Sequence, residues 1–221
     1  MSMDVFERSL EWAVALNGRY LVKQEAPMDL RDTDIGRWTK SIRQPNGVMA
    51  ELSLTGIGEC FLHPDFVTMV RLAREAMGPD CPIVFSTNGI LLTDEMAARL
   101  APFHPQVYVS LHRPEKAGHA IQAAKKYGIL AGYNPSPATS AFDWAGQVDW
   151  FVSHPRVPCD YLKLGWAVVL VDGRITTCCL DASAKGVVGH VDDPIGSAAI
   201  EPFELCPKCS YSVPTELAAV A

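Results

Sequence analysis

The chain has 221 residues, a net charge of −6, an apolar fraction of 48% and a charged fraction of 20%. This is the composition of an ordinary globular protein, and the length suits one large domain or a domain with a small appendage. The negative charge and the lack of a basic run argue against a nucleic-acid-binding surface. No apolar stretch approaches the roughly 20 residues that a membrane-spanning helix needs.

The N-terminus and the cysteine count bear on the cellular compartment. Residues 1–7 contain no basic segment followed by an apolar core, so they do not resemble a secretory signal. The chain has 7 cysteines, an odd number, which argues against a disulfide framework in a chain without such a signal. We therefore expect a cytoplasmic protein with reduced thiols that binds neither nucleic acid nor membrane.

Strand and helix patterns alternate along most of the chain. Apolar residues at helical spacing predict a first helix over residues 3–16, and the charge-rich residues 19–48 indicate an inserted surface segment. The alternation that follows predicts parallel βαβ units. Strands are predicted at residues 49–55, 83–86, 107–111 and 129–133, and helices at residues 64–77, 93–100, 115–127 and 142–152.

A different pattern follows near the C-terminus. Residues 166–171 and 174–177 read as two strands joined by Asp172-Gly173, which predicts a β-hairpin with a two-residue turn. The sequence thus predicts two parts, an α/β domain over residues 1–155 and a small hairpin module over residues 156–221.

Glycine-rich and polar segments follow three successive predicted strands of the α/β domain. In parallel α/β proteins, ligands bind at the carboxyl ends of the strands. Glycines let the backbone approach a ligand, a glutamate suits an ammonium group, and hydroxyl and amide side chains suit a ribose. The candidate ligand-binding residues are Gly56, Gly58, Glu59, Ser86, Thr87, Asn88, Ser110 and His112.

Each of these segments also has a purely structural interpretation. The glycines before Glu59 are typical of a tight turn, and Thr87-Asn88-Gly89 is typical of a turn that precedes a helix N-cap. A histidine such as His112 beside a strand end is more often a hydrogen-bonded structural residue than a catalyst. The order of the three segments, at successive strand ends, favours a ligand site.

Four cysteines near the C-terminus form a candidate metal site: Cys159, Cys178, Cys206 and Cys209. Thiolates are ligands of both iron–sulfur clusters and zinc, so their presence alone leaves both metals open. Cys179 is adjacent to Cys178, and strand alternation predicts that its side chain points to the opposite face and is packed there.

The strand-end segments resemble the radical S-adenosylmethionine (radical SAM) enzymes, whose fold is a partial (β/α) TIM-like barrel. Gly56-Ile57-Gly58-Glu59 with Leu62-His63-Pro64 is similar to the stretch that holds the methionine amino group in that family, with Cys60 where proline is usual. Ser86-Thr87-Asn88-Gly89 and Ser110-Leu111-His112 are similar to the next two strand ends. The resemblance covers residues 50–135 well and residues 1–17 weakly, and it implies S-adenosylmethionine as a cofactor.

The cysteine quartet resembles the twitch domain, a shortened relative of the SPASM domain of radical SAM enzymes. Thirteen residues separate Cys159 from Gly173, four more lead to Cys178, and Cys206 and Cys209 form a Cys-x-x-Cys pair, as in that domain. The resemblance implies that the four cysteines hold an auxiliary 4Fe–4S cluster.

One element of the radical SAM family is missing from the sequence. Members of the family carry a Cys-x₃-Cys-x₂-Cys loop for the cluster that cleaves S-adenosylmethionine, and no such motif occurs here. We expect a chain that starts just after this loop, as a truncated, split or degenerate relative. A split enzyme needs a partner chain that supplies the loop.

The resemblance implies radical oxidation or modification of a small molecule or a peptide, once a cluster-binding segment completes the protein. The auxiliary cluster would then accept an electron or orient the substrate. Two alternatives stay open: a non-catalytic protein that binds a cluster or a substrate, and a domain stabilised by zinc. The sequence does not identify the catalytic residues.

Overall fold

The computed structural model describes residues 1–16, 51–56, 58–111, 114–134, 167–181, 183–198, 203 and 205. Several predictions made from the sequence lie outside these residues. They are the inserted segment over residues 19–48, the helix over residues 142–152 and the domain boundary at residue 155, and all three stay predictions.

Most helices and strands overlap the predicted positions, and one strand, Val187–His190, was not predicted. The helices are α1 (Met3–Leu16), α2 (Phe66–Met77), α3 (Asp94–Leu100) and α4 (Pro114–Lys126). The strands are β1 (Leu52–Ser53), β2 (Ile83–Thr87), β3 (Gln106–Ser110), β4 (Leu130–Asn134), β5 (Val168–Val169), β6 (Arg174–Thr176) and β7 (Val187–His190). None of these four helices has the length and apolar composition that crossing a membrane requires.

The compact unit formed by Met49–Ser140 contains a parallel sheet. Its strands lie in the order β1-β2-β3-β4, and all three neighbouring pairs are parallel. Helices α2, α3 and α4 alternate with the strands, as the sequence predicts for βαβ units. The mixed α/β fold with a parallel sheet is confirmed, whereas closure into a partial barrel stays a prediction.

The two faces of the parallel sheet differ in chemistry. Phe85, Val107 and Val109 lie on the face that contacts the helices, where each is 0% exposed and Phe85 packs edge-to-face on Phe66 of α2. Residues that alternate with them point to the opposite face because side chains along a strand have a period of two. Val84, which is 6% exposed, and Gly132 are among those residues. The others carry hydroxyl or amide groups: Ser53, Ser86, Gln106, Tyr108, Ser110 and Asn134.

A parallel sheet is normally covered by apolar residues on both faces. The hydroxyl and amide groups on one face of this sheet therefore need another explanation. We refer to that face below as the polar face. Three of its residues, Ser86, Ser110 and Asn134, lie at or next to the carboxyl ends of their strands.

The second compact unit, Met1–Val48 with Ala141–Ala221, contains α1 and an antiparallel sheet in the order β5-β6-β7. Trp12 of α1 is 5% exposed and packs in a core with Ile175, Val191 and Ala198. Its indole Nε1 donates a hydrogen bond to the carbonyl oxygen of Val191 at 3.0 Å. Helix α1 is thus part of the same compact unit as the antiparallel sheet, whereas the sequence places it in the α/β domain.

The loop between β5 and β6 contains three residues rather than the predicted two. Leu170 N donates to Arg174 O at 2.8 Å, and Gly173 N donates to Leu170 O at 3.0 Å, which leaves Val171–Gly173 as the loop. Gly173 has a φ of +91°, and an added Cβ would lie 2.7 Å from Nε2 of His190. Only glycine fits this position, and the extra residue accommodates the twist of the two strands.

Candidate functional site

Glu59 joins the carboxyl ends of β1 and β2. It caps the 3-10 turn Cys60–Leu62, where its Oε1 accepts a hydrogen bond from Phe61 N at 3.3 Å. The same oxygen accepts from Thr87 Oγ1 at 2.8 Å, and Oε2 accepts from Asn88 N at 2.8 Å. The half-buried carboxylate therefore holds the two strand ends together.

The hydrogen-bond donors around Glu59 are distributed unevenly between its two carboxylate oxygens. A carboxylate offers about four acceptor directions. Within the part of the chain that the structure describes, Oε2 receives one donor, the Asn88 amide. An ammonium group is a donor of matching charge, and such a charge-assisted hydrogen bond is about twice as strong as a neutral one.

Thr87 is placed differently from the prediction that its hydroxyl faces a ligand. Strand β2 extends through Thr87, one residue beyond the predicted end, so the side chain points to the helix-covered face and is 2% exposed. Its Oγ1 accepts a hydrogen bond from Gly89 N at 3.1 Å and donates to Glu59. Thr87 thus contacts the candidate ligand residue Glu59 and lies away from the polar face.

Ser86 belongs to a hydrogen-bonded set on the polar face. Its Oγ accepts a hydrogen bond from Asn134 Nδ2 at 2.9 Å, and its backbone N donates to Thr55 Oγ1 at 3.0 Å. Ser110 lies beside Asn134 in the register of β3 and β4. The structure therefore brings Ser86 and Ser110 to the same edge of the sheet.

Thr55 and Asn134 also belong to this edge, and neither is among the candidate ligand-binding residues predicted from the sequence. Asn134 ends β4, the fourth strand of the sheet, whereas the predicted candidates follow only the first three strands. The signal in the sequence that could have identified Asn134 is its polar side chain directly after the predicted fourth strand. Thr55 lies directly before the glycine-rich segment.

Three further predicted residues of this edge, Gly56, Gly58 and Asn88, are exposed. Gly56 and Gly58 have no atom within 4 Å of an added Cβ, and Gly58 has a φ of +131° that side chains rarely adopt. Asn88 is exposed, and its Oδ1 accepts a hydrogen bond from Ile90 N at 2.9 Å, which stabilises the turn after β2. His112 lies outside the residues that the structure describes.

Cys60, at the position where the related family has proline, carries a protonated thiol. Burial, and next the nearby Glu59 carboxylate, raise the pKa of Cys60 far above its ordinary value. Its Sγ lies 3.5 Å from Glu59 Oε1 and 3.6 Å from Ser86 O. Because the thiol keeps its proton, Cys60 acts as a hydrogen-bond donor here. It is not in the thiolate form that makes a cysteine nucleophilic.

Cys178 is the one predicted metal ligand within the described ranges, since Cys159, Cys206 and Cys209 lie outside them. Its Sγ accepts a hydrogen bond from Leu180 N at 3.4 Å. An amide N–H that points at sulfur favours the thiolate, which is the form that binds metals. Over the described ranges, no group of three or more His, Cys, Asp or Glu side chains is arranged to hold a metal ion.

The prediction that Cys179 is packed on a strand face is wrong, because its side chain is exposed. Strand β6 ends at Thr176, and the backbone turns before Cys179. The alternation of a strand therefore does not extend to Cys179.

Asp181 organises the loop that follows Cys178. This carboxylate is 2% exposed, and its Oδ2 accepts hydrogen bonds from Thr176 Oγ1 at 3.0 Å and from Gly186 N at 2.7 Å. Its Oδ1 accepts from Lys185 N at 2.9 Å. A buried carboxylate needs such partners, and here they fix the backbone on both sides of the loop.

The segment that precedes Cys206 in the sequence contacts this loop. Leu205 is 6% exposed and packs in a small core with Leu180 and Phe203. An added Cβ on Gly186 would lie 2.7 Å from the Phe203 ring, so the ring rests directly on the glycine backbone. Leu180 is also the residue whose amide donates to Cys178 Sγ.

The chain is similar to a known enzyme in sequence and to a solved structure in fold. The chain is 30% identical over 98 residues to the GTP 3′,8-cyclase of Chlorobaculum tepidum (strain ATCC 49652 / DSM 12025 / NBRC 103806 / TLS). The match covers 44% of this chain and 29% of the cyclase, so the similarity spans less than a third of that enzyme. No family model matches the sequence.

The structural relative is BtrN, whose crystal structure is a complex with AdoMet and 2-DOIA. The likeness has a TM-score of 0.62 and covers 88% of this chain and 67% of BtrN, at 17% identity. At that identity the likeness establishes a shared fold and no more. Together with the cyclase match, it supports the resemblance to the radical SAM superfamily that the strand-end segments indicate.

Proposed function

We propose that this chain is a radical SAM-type protein with two cofactor sites. The strand-end edge of the parallel sheet binds S-adenosylmethionine, and the cysteine quartet of the other unit binds an auxiliary 4Fe–4S cluster. The observation that carries the proposal is Glu59, a half-buried carboxylate fixed across two strand ends, whose Oε2 accepts a single hydrogen bond from the described residues.

The chemistry of the strand-end edge supports S-adenosylmethionine as the ligand. Its ammonium group suits Glu59 Oε2, and its ribose hydroxyls suit the hydroxyl and amide groups of Ser86, Asn88 and Ser110. The exposed backbone at Gly56 and Gly58 allows close approach. BtrN, which has the same fold, was crystallised with AdoMet.

The surroundings of Cys178 support an auxiliary cluster. The amide of Leu180 donates a hydrogen bond to Cys178 Sγ, and Leu180 packs against Leu205, the residue directly before Cys206 in the sequence. These contacts support one shared site for Cys178 and Cys206, to which Cys159 and Cys209 contribute the remaining ligands. When bound, the cluster supplies a one-electron acceptor or an iron that orients the substrate.

The reaction class is radical oxidation or modification of a small molecule or a peptide. Cleavage of S-adenosylmethionine needs a second cluster, and its Cys-x₃-Cys-x₂-Cys ligands are absent from the sequence. We propose that a further segment or a partner chain supplies them. Incubation of the reconstituted chain with dithionite and S-adenosylmethionine should yield no 5′-deoxyadenosine, and turnover would contradict this part of the proposal.

The cluster is tested by metal analysis of anaerobically purified and reconstituted protein. We expect about four iron atoms and about four sulfides per chain. Cys178→Ser should lose most of this iron, while Cys179→Ser, a change in the exposed neighbouring thiol, should keep it. Stoichiometric zinc without sulfide would support the zinc-stabilised alternative instead.

The S-adenosylmethionine site is tested by calorimetric titration of the same preparation. We expect binding by the unmodified chain and a loss of about tenfold or more in affinity for Glu59→Gln, which removes the charge that pairs with ammonium. Glu95→Gln, at an exposed carboxylate of α3, is the matched control and should bind normally. No binding by the unmodified chain would favour a non-catalytic cluster protein.

A further inference from the structure

We infer that Thr87 is a positioning residue, which fixes the Glu59 carboxylate so that Oε2 meets the ammonium group of the cofactor. This inference rests on the proposed function, because it assigns a role within the same site. The sequence alone suggests that Thr87 offers its hydroxyl to a ribose, and the structure assigns that hydroxyl to Glu59 instead.

The direction of the Thr87 hydroxyl follows from its two hydrogen bonds. Gly89 N can only donate, so the contact at 3.1 Å makes Thr87 Oγ1 the acceptor. The hydroxyl proton is then available for Glu59 Oε1, 2.8 Å away. This donor approaches from the buried side of the sheet, because Thr87 is 2% exposed.

Close packing fixes the amide at the start of this chain of hydrogen bonds. Gly89 has a φ of +80°, and an added Cβ would lie 3.0 Å from Ala120 Cβ and 3.3 Å from Val109 Cγ1. Helix α4 and strand β3 thus press directly on the Gly89 backbone. Gly89 is held by this packing, its amide holds the Thr87 hydroxyl, and that hydroxyl holds Glu59.

The two oxygens of Glu59 consequently have different roles. Oε1 accepts from Thr87 Oγ1 and Phe61 N and lies 3.5 Å from Cys60 Sγ, so donors of the protein surround it. Oε2 has one donor within the described part of the chain, Asn88 N at 2.8 Å. Thr87 holds the crowded oxygen in place, which turns the less occupied one toward the ligand.

The test compares the affinities of Thr87 variants for three ligands by calorimetry. Thr87→Ser and Thr87→Ala both remove the γ-methyl group, and they differ from each other only by the hydroxyl. Thr87→Val removes the hydroxyl and keeps the shape of threonine. S-Adenosylmethionine and S-adenosylhomocysteine carry the ammonium group, whereas 5′-methylthioadenosine has the adenosine without it.

We expect Thr87→Ala and Thr87→Val to bind the two ammonium ligands about tenfold more weakly than Thr87→Ser does. Affinity for 5′-methylthioadenosine should be equal among the three variants, because that ligand makes no use of Glu59. If Thr87→Val does not fold, the comparison of Thr87→Ala with Thr87→Ser still measures the effect of the hydroxyl on affinity.

Two results would overturn the inference and leave the proposed function standing. One is equal binding of S-adenosylmethionine by Thr87→Ser and Thr87→Ala. The other is an equal loss of affinity for all three ligands, which would indicate a general structural role. Failure of the unmodified chain to bind S-adenosylmethionine would instead overturn the proposed function together with the inference.

Discussion

Two carboxylates, Glu59 in the parallel-sheet unit and Asp181 in the other, hold the loops that carry the candidate sites. Each accepts hydrogen bonds from backbone amides and from one threonine hydroxyl. They differ in exposure, because Asp181 is 2% exposed and Glu59 is half-buried. The same chemical group therefore gives structural support in both units, and at Glu59 it also stays exposed enough to meet a ligand, as the proposed function requires.

The difference shows why charge alone does not identify a binding site. Three donors at 2.7–3.0 Å surround the buried carboxylate of Asp181, which compensates for its loss of hydration. In the described part of the chain, Oε1 of Glu59 accepts hydrogen bonds from Phe61 N and Thr87 Oγ1, whereas Oε2 accepts one from Asn88 N. The half-buried side chain also stays partly exposed to water. A partly satisfied and partly exposed carboxylate is the one suited to exchange water for an ammonium ligand.

The largest expected effect is that of Asp181→Ala. It leaves buried donors without an acceptor, so we expect the free energy of unfolding to fall by about 3 kcal/mol. Glu59→Ala should cost less, about 1 kcal/mol, because this carboxylate is only half-buried and the Asn88 residue that it leaves unpaired is exposed. Chemical denaturation measures both, and equal losses would contradict the proposed difference between the two carboxylates.

A second, intermediate effect concerns two glycines, one in each unit. Gly173→Ala forces an alanine into a φ of +91° and against His190, which should cost about 2 kcal/mol of stability. Gly56→Ala meets no atom within 4 Å and should change stability by less than about 0.5 kcal/mol. Thermal denaturation measures both, and a large loss for Gly56→Ala would show that the strand-end edge is more constrained than its open space indicates.

The smallest effect on stability, and the sharpest contrast in reactivity, concerns Cys60 and Cys179. Burial raises the pKa of Cys60, so at about pH 8 it should resist alkylation by iodoacetamide, while the exposed Cys179 reacts. Mass spectrometry of the modified peptides distinguishes the two sites. Faster modification of Cys60 than of Cys179 would show that the thiol is not held protonated.

The same pKa shift fixes the sign of a pH effect. The unfolded chain releases the Cys60 proton near the ordinary thiol pKa of about 8.5, while the folded protein keeps it to a much higher pH. Cys60 therefore makes its full contribution to the free energy of unfolding at pH values below the ordinary thiol pKa, and this contribution is lost as the pH rises above that value. Cys60→Ser, which does not titrate, should weaken the decline of stability at alkaline pH.

Much of the fold was predictable because local patterns determine it. The first helix matches residues 3–16, and α3 lies within the predicted helix over residues 93–100, where Thr93 Oγ1 caps it by accepting a hydrogen bond from Met96 N at 3.1 Å. The alternation of strands and helices predicted the parallel sheet. These features depend on hydrophobic periodicity and on side-chain capping, both of which operate within a few residues.

The errors at the sites arise from single-residue shifts in strand ends. One additional residue in β2 turns Thr87 from the presumed ligand side to the helix side, because successive side chains alternate. In β4 the extra residue is Asn134, which adds an amide to the polar face. Cys179 lies beyond β6 in the turn that follows, so strand alternation does not determine where its side chain points. Strand ends depend on hydrogen bonding to neighbouring strands, which the local sequence does not encode.

The bond between Trp12 and Val191 has a consequence for the order in which the chain folds. It joins residues 179 positions apart, whereas the parallel-sheet unit is one continuous stretch, Met49–Ser140. During synthesis the ribosome releases α1 before the strands of the antiparallel sheet, so the docking surface of α1 forms later than α1 itself. The parallel-sheet unit can therefore assemble while α1 still waits for the C-terminal strands, and the long closure makes α1 docking a late step.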